Sequence, residues 1–250
     1  NHSSKKTKGF VSGVELREEA VKFGIVGAVH HPQLVYDYVE STSHAWAANP
    51  TQCVNYVSCH DNYTLWDKLK ASASKAGENE WQKMVKLAGA LVLTSQGIPF
   101  LHAGVDFCRT KGGHHNSYKS PDPVNQIDWM RKEKYSGVFT YYKNLVALRK
   151  NHPAFRLTTA ELVQQKIHFC TEYKMGVVAY CLDGREAGDE WGEMFIVFNA
   201  NRKETVVPLP EGNYSIVVKG DNFNAGGQDE KVAGELKVEP ISMTILVKAD

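Results

Sequence analysis

The residues best placed to do chemistry are His60, Asp61 and Asn62, an imidazole, a carboxylate and an amide in a row at the end of Val54-Asn55-Tyr56-Val57-Ser58-Cys59. The run from Gln52 to Cys59 reads as a short strand, and a helix opens soon after it. Thr64 and Asp67 are spaced as a capping box ahead of Leu65, Trp66 and Leu69. A polar triplet between a strand and a helix lies at the carboxyl end of the strand, where α/β barrels keep their active sites. The same residues have a plainer reading, in which Asp61 caps the turn and His60 is a satisfied, partly buried imidazole. Position alone leaves both open.

The elements that would hold this triplet fall into two halves that meet near residue 155. In the first, short apolar runs alternate with helix-period segments, the βα rhythm of a parallel sheet. Trp81, Met84, Val85, Ala88, Leu91 and Val92 recur at spacings of three and four and make one helix face, which Gly97 and Pro99 bring to a stop. A buried strand is expected from Ile98 to His102. The polar stretch 104–129, rich in Gly, Asn, Pro and Asp, far exceeds the usual βα connection of about 2–6 residues. A last helix, roughly 135–150, turns Val138, Tyr142, Leu145 and Val146 inward and ends before Pro153.

Beyond residue 155 helix signals vanish. Strands are expected over Glu161 to Phe169, Val177 to Leu182, Met194 to Phe198, Glu204 to Pro208, Tyr214 to Lys219, Glu235 to Val238 and Ile241 to Val247, with turns such as Asp183-Gly184 between them. That spacing suggests an antiparallel sandwich, with the domain boundary between Pro153 and Thr159.

Composition narrows the classes. With 42% hydrophobic and 23% charged residues the 250-residue chain is ordinary globular material, neither disordered nor collagen-like. Its 29 Lys and Arg against 28 Asp and Glu leave a net charge of +1, so nothing points to nucleic acid as a partner. No apolar run approaches the roughly 18 residues of a membrane span, and Asn1-His2-Ser3-Ser4-Lys5-Lys6 lacks a signal-peptide core. The five cysteines, Cys53, Cys59, Cys108, Cys170 and Cys181, are odd in number and lack CxxC spacing, so they read as free thiols.

Four segments in order carry more: YVSCHDN, then YTLWDKL, then GIPFLHAGVDFCRTKGG, then NSYKSPDPVNQIDW. Together they resemble the C-terminal part of the catalytic barrel of type I pullulanases, debranching members of the α-amylase superfamily of glycoside hydrolases. The likeness is densest over residues 53–129, while 156–250 resembles the family's C-terminal β-sandwich in pattern. It implies α/β plus all-β architecture, with residues 1–155 the C-terminal portion of a (β/α)8 barrel and 156–250 the sandwich.

By that resemblance, Asp61 is the third carboxylate of the site. It holds sugar hydroxyls as positive charge builds in the oxocarbenium-like transition state, and His60 donates to a neighbouring hydroxyl. Asn62 joins them in binding substrate, and Asn116, Tyr118 and Asn125 lie beside the cleft and contact glucan, amides through fixed hydrogen bonds and the ring through its flat face. One departure stands after His102-Ala103-Gly104, where relatives carry Glu or Gln and then Glu but this chain has Val105 and Asp106. Cys108 also replaces an aliphatic residue.

A retaining glycosidase needs a nucleophile and an acid/base about 5–5.5 Å apart. The family carries them in motifs like GFRFD and GEPW, and neither occurs here. About two βα units are legible where a closed barrel needs eight. The expectation is therefore a part of a larger enzyme that cannot hydrolyse glucan alone. Its partners would be the missing N-terminal part and a branched α-glucan such as pullulan, glycogen or amylopectin. A non-catalytic α-glucan-binding protein is the alternative.

No cofactor is expected. The ten histidines include the pairs His30-His31 and His114-His115, but adjacent residues point apart in a strand and no HExxH spacing occurs. Asp106, Asp122 and Asp128 are oxygen donors suited to calcium, without EF-hand spacing to support it.

Overall fold

The structure is a computed structural model that describes residues 6–170, 173–223 and 231–249; residues 1–5, read above for a signal-peptide core, lie outside it. Its helices are α1 (Glu18–Ile25), α2 (Leu65–Ser72), α3 (Glu78–Thr94), α4 (Asp122–Asn125), α5 (Met130–Lys134), α6 (Ser136–Asn151) and α7 (Ala160–Lys166). The strands are β1 (Val54–Asn55), β2 (Ile98–Pro99), β3 (Ile167–Phe169), β4 (Val177–Asp183), β5 (Glu193–Asn199), β6 (Thr205–Pro208), β7 (Tyr214–Lys219), β8 (Asn222–Phe223), β9 (Lys231–Val232), β10 (Glu235–Val238) and β11 (Ser242–Lys248).

The first half is a βα unit built as its pattern foretells, with shorter strands. β1 and β2 pair in parallel, Val54 with Ile98 and Asn55 with Pro99, and α2 and α3 form the crossover. Thr64 caps α2 by accepting the Asp67 N–H at 3.2 Å, so half of the expected capping box is present. The other half is absent because the Asp67 carboxylate is engaged elsewhere, as described below. After α3 the chain reverses at Gly97, where a φ of +98° and the Cys53 carbonyl, 2.9 Å from where a Cβ would sit, admit no side chain. The Asn55 amide donates to Gln96 O at 2.6 Å and locks this turn against β1.

Two expectations about these strands need correction. Only Val54–Asn55 and Ile98–Pro99 pair, because each strand has a single neighbour and the chain bends away on both sides. The Ile98 to His102 segment is not buried: Ile98 is 48% and Phe100 42% exposed, beside exposed Val54 and Tyr56.

α3 and α6 cross closely. A Cβ on Gly89 would collide with the Tyr142 ring, whose hydroxyl donates to Val85 O at 3.0 Å. α6 buries Val138, Tyr141, Tyr142, Leu145 and Leu148. Val146, expected inside, is exposed, because the helix turns a 138/141/145/148 stripe to the core instead.

In the second half, β3, β4, β5, β11, β7 and β8 form one sheet in that order, with β9 also on β7, and β6 and β10 pair as a separate two-stranded ribbon. The ribbon covers one face, with Val207, Leu236 and Val238 packed on Val177, Ala179, Phe195, Val197 and Ile216. The opposite face, with Val178, Tyr180, Ile196, Phe198, Met243 and Ile245, shares a core with α3 and α6. Burial on both faces accounts for the near-continuous apolar runs of β4, β5 and β11. Helix signals do not vanish at 155. Residues 161–166, expected in a strand, lie in α7, with Thr159 accepting the Leu162 N–H at its start, and only Ile167–Phe169 pair. The core runs across residue 155 without a break.

Polar groups stitch this seam. The buried Arg149 guanidinium donates to Leu93 O, Ser95 O and Gly97 O at 2.9, 2.7 and 2.7 Å. Gln96 donates to Ala154 O at 2.9 Å and accepts the Leu157 N–H at 2.8 Å. Asp189 accepts from His152 Nδ1 at 2.8 Å and from the Ala154 and Trp191 N–H groups at 3.1 and 2.9 Å. Burial would raise the Asp189 pKa, but the hydrogen bonds from His152, Trp191 and Ala154 outweigh it and hold the carboxyl below its ordinary range.

Candidate functional site

His60, Asp61 and Asn62 sit in the bend between the carboxyl end of β1 and the start of α2. The side chains of His60 and Asp61 are 88% and 71% exposed, with His60 Nε2 3.6 Å from Asp61 Oδ1, so both are free to meet a ligand. Asn62 has φ +59°, a left-handed conformation that asparagine adopts more readily than most residues. Its residue type is thus explained by the turn that aims Asp61, independently of any contact with substrate.

The long segment after β2 packs beside this bend. It opens with a turn at Val105–Phe107, passes through α4 and ends near Trp129. Two anchors hold it, the buried Asp67 and the half-buried Arg109. Asp67 of α2 accepts Thr110 Oγ1 at 2.5 Å and the Lys111 N–H at 2.7 Å. Arg109 donates to Ala103 O and His102 Nε2 at 3.2 Å each and to Asn125 O at 2.6 Å, joining the segment after β2 to α4.

The remaining expected contacts divide. Tyr118 is 76% exposed, and Asn116 is exposed as well, so both present their groups to solvent near the bend. Asn125 is placed differently from the expectation. Its amide nitrogen donates to Ser117 O at 2.7 Å and Ser120 O at 3.0 Å, which closes the loop carrying Tyr118 and leaves only Oδ1 for a sugar.

Val105 is buried and Asp106 half-buried. Burial raises the Asp106 pKa, against its own backbone N–H and the pull of Lys132. Cys108 is buried at φ +60°, and burial pushes its thiol up to about 12, which makes it inert.

Three residues at the site escaped the sequence reading: His102, Arg109 and Lys111. Burial first, then Arg109, Lys111 and His60, bring the His102 pKa down to about 4. A neutral His102 that accepts the Arg109 proton at Nε2 carries its own proton on Nδ1. His102 had a signal, since it closes its strand segment just as His60 closes the first. Lys111, inside a polar Thr-Lys-Gly-Gly run, had none.

Among the described residues no group of three or more His, Cys, Asp or Glu is gathered so as to hold a metal. His31 is a buried core histidine, with Nε2 3.1 Å from Ile167 O. All five cysteines are free thiols. No helix of the described residues is long and apolar enough to cross a membrane.

Comparison with known proteins gives concordant likenesses. The family profile "pullulanase, all-beta domain" matches residues 163–222. A pullulanase from Bacillus subtilis strain 168 is 36% identical over 205 residues, covering 82% of this chain and 27% of that protein. The chloroplastic pullulanase 1 of Arabidopsis thaliana is 25% identical over 217 residues. The structure of a Bacillus acidopullulyticus pullulanase superposes with a TM-score of 0.88 at 36% identity, covering 98% of this chain and 28% of that one. A Paenibacillus barengoltzii pullulanase, solved in complex with maltohexaose and α-cyclodextrin, matches with a TM-score of 0.88 at 38% identity over 99% of this chain and 36% of that one.

The chain thus spans about a quarter to a third of the length of these relatives. Its fold, the all-β sheet included, is that of the pullulanase C-terminal region. The chain is a homologue of the C-terminal part of pullulanases.

Proposed function

We propose that these residues belong to a pullulanase-type glycoside hydrolase that cleaves α-1,6-glucosidic linkages in branched α-glucans by a retaining mechanism. Residues 1–155 supply the C-terminal portion of its (β/α)8 barrel, and 156–250 its β-sandwich. The two share one core.

The observation that carries this reading is the β1–β2 pair. It is a parallel sheet of two strands with an apolar face open to solvent, and it delivers an exposed His–Asp pair at the carboxyl end of β1 beside a long ordered loop. Parallel strands are stable when covered on both faces, so this pair fits a place in a larger parallel barrel.

In the reaction Asp61 accepts hydrogen bonds from the hydroxyls of the sugar whose anomeric carbon reacts. Its negative charge favours the oxocarbenium-like transition state over the ground state, which is the differential binding that raises kcat. His60 donates to a neighbouring hydroxyl, and Tyr118 and Asn116 contact the glucan further along. The nucleophile and acid/base lie outside these 250 residues, so the chain alone is inactive. The test is Asp61→Asn in the full-length enzyme. It should lower kcat on pullulan at least about a hundredfold with a smaller change in KM. An unchanged kcat would remove the role, and glucan binding without hydrolysis by the wild type would favour a binding protein.

A further inference from the structure

A lysine ammonium is rarely buried without a carboxylate beside it, because its hydration must be replaced. Lys111 is 3% exposed, and among the described residues no carboxylate forms an ion pair with it. Its Nζ donates to two neutral oxygens, Ser117 Oγ at 3.0 Å and His60 O at 3.3 Å. The other end of the residue is fixed as well, since its N–H donates to the buried Asp67 of α2 at 2.7 Å. Burial and Arg109 lower the Lys111 pKa, while Asp67, Asp61 and Cys59 act in the opposite direction.

The two acceptors are informative. The His60 carbonyl belongs to the peptide that joins His60 to Asp61, so a hydrogen bond to it fixes the plane from which the Asp61 side chain projects. Ser117 lies between Asn116 and Tyr118. One ammonium therefore ties the loop that carries the candidate carboxylate to the loop that carries the candidate sugar contacts, each within a residue of the functional group. Lysine suits this task, since a compact ammonium points its donors tetrahedrally, whereas a guanidinium needs its acceptors near one plane.

We propose that Lys111 is a positioning residue, which by bonding His60 O and Ser117 Oγ together holds Asp61 in register with Asn116 and Tyr118. Resting on the glucosidase reading above, the role predicts a loss in the chemical step rather than in substrate capture. A displacement of about 1 Å at a reacting centre is enough to slow it.

The experiment compares Lys111→Met and Ser117→Ala with wild type in the full-length enzyme. Each is followed by steady-state kinetics on pullulan and by amide hydrogen exchange over residues 58–62. Lys111→Met should lower kcat at least about tenfold with KM within about threefold, and should speed exchange in that segment. Ser117→Ala removes one tie while leaving the lysine, its bond to His60 O and its N–H bond to Asp67 in place, so it keeps the test valid if Lys111→Met folds poorly. It should lower kcat about threefold while the enzyme stays fully folded at the assay temperature.

Wild-type kcat in Ser117→Ala, together with unchanged exchange in both variants, would overturn the proposal. So would a Lys111→Met defect explained wholly by a smaller folded fraction. If the wild-type enzyme does not hydrolyse pullulan, or Asp61→Asn leaves its kcat intact, the glucosidase reading fails by itself. The exchange measurement then still decides whether Lys111 holds the two loops together.

Discussion

Isoleucine and phenylalanine meet opposite fates in the two sheets of this molecule. In β5, Ile196 and Phe198 are fully buried, one face of the strand against α3 and α6 and the other under the β6–β10 ribbon. In and beside β2, Ile98 and Phe100 are open to water. The residue types are the same, so the difference comes from what covers each sheet. The large sheet finds cover on both faces within the chain, whereas the parallel pair leaves Val54, Tyr56, Ile98 and Phe100 bare.

The largest effect that would break this contrast is a cavity in the covered sheet. Phe198→Ala should cost about 3–5 kcal/mol, read from the denaturant midpoint, since the site is enclosed by Tyr180, Met243 and the helical layer. A loss below about 1 kcal/mol would mean the covered face is loosely packed.

A smaller effect is expected at the seam. Asp189→Ala strands the Ala154 and Trp191 N–H groups and the His152 ring, and should cost about 2–3 kcal/mol near neutral pH. The depressed folded pKa gives this contribution a definite sign. It is fully present above the unfolded carboxyl value of about 3.9 and is lost as pH falls through the lower folded value. Unfolding measured from pH 6 down to pH 2 should therefore show the variant and the wild type converging in acid.

The smallest effect belongs to the open face. In the isolated chain Phe100→Ser should change stability by less than about 0.5 kcal/mol and reduce aggregation, measured by light scattering. In the full-length enzyme the same change should cost about 2 kcal/mol if that face is covered there. Equal small effects in both settings would show that nothing packs on it.

The parts of this fold written in local pattern were legible. The α3 stripe, its stop at Gly97 and the Thr64 cap follow from spacing and residue type. So do β4, β5 and β7, whose apolar runs leave no other element. What failed depended on distant partners. Residues 160–166 lack a strong period and become helix under the Thr159 cap, and the length of β1 and β2 is set by how many residues find a neighbour.

The site divides the same way. Asp61 and His60 lie in the bend between β1 and α2, a strand-to-helix junction readable in the sequence. Asn125, by contrast, has both amide protons used by Ser117 O and Ser120 O, which no local pattern announces. Lys111 matters through acceptors 51 and 6 residues away, visible only once the loops meet.

The seam at Arg149, Gln96 and Asp189 bears on modular engineering. The guanidinium of α6 gathers the carbonyls that lead into β2, and residues 154–157 are hydrogen-bonded to the same turn. A cut between Pro153 and Thr159 would sever the shared core and unsheathe Tyr180, Phe198 and Ile245. Chimeras that exchange the C-terminal sheet between relatives would do better to carry α3 and α6 with it as one transplant.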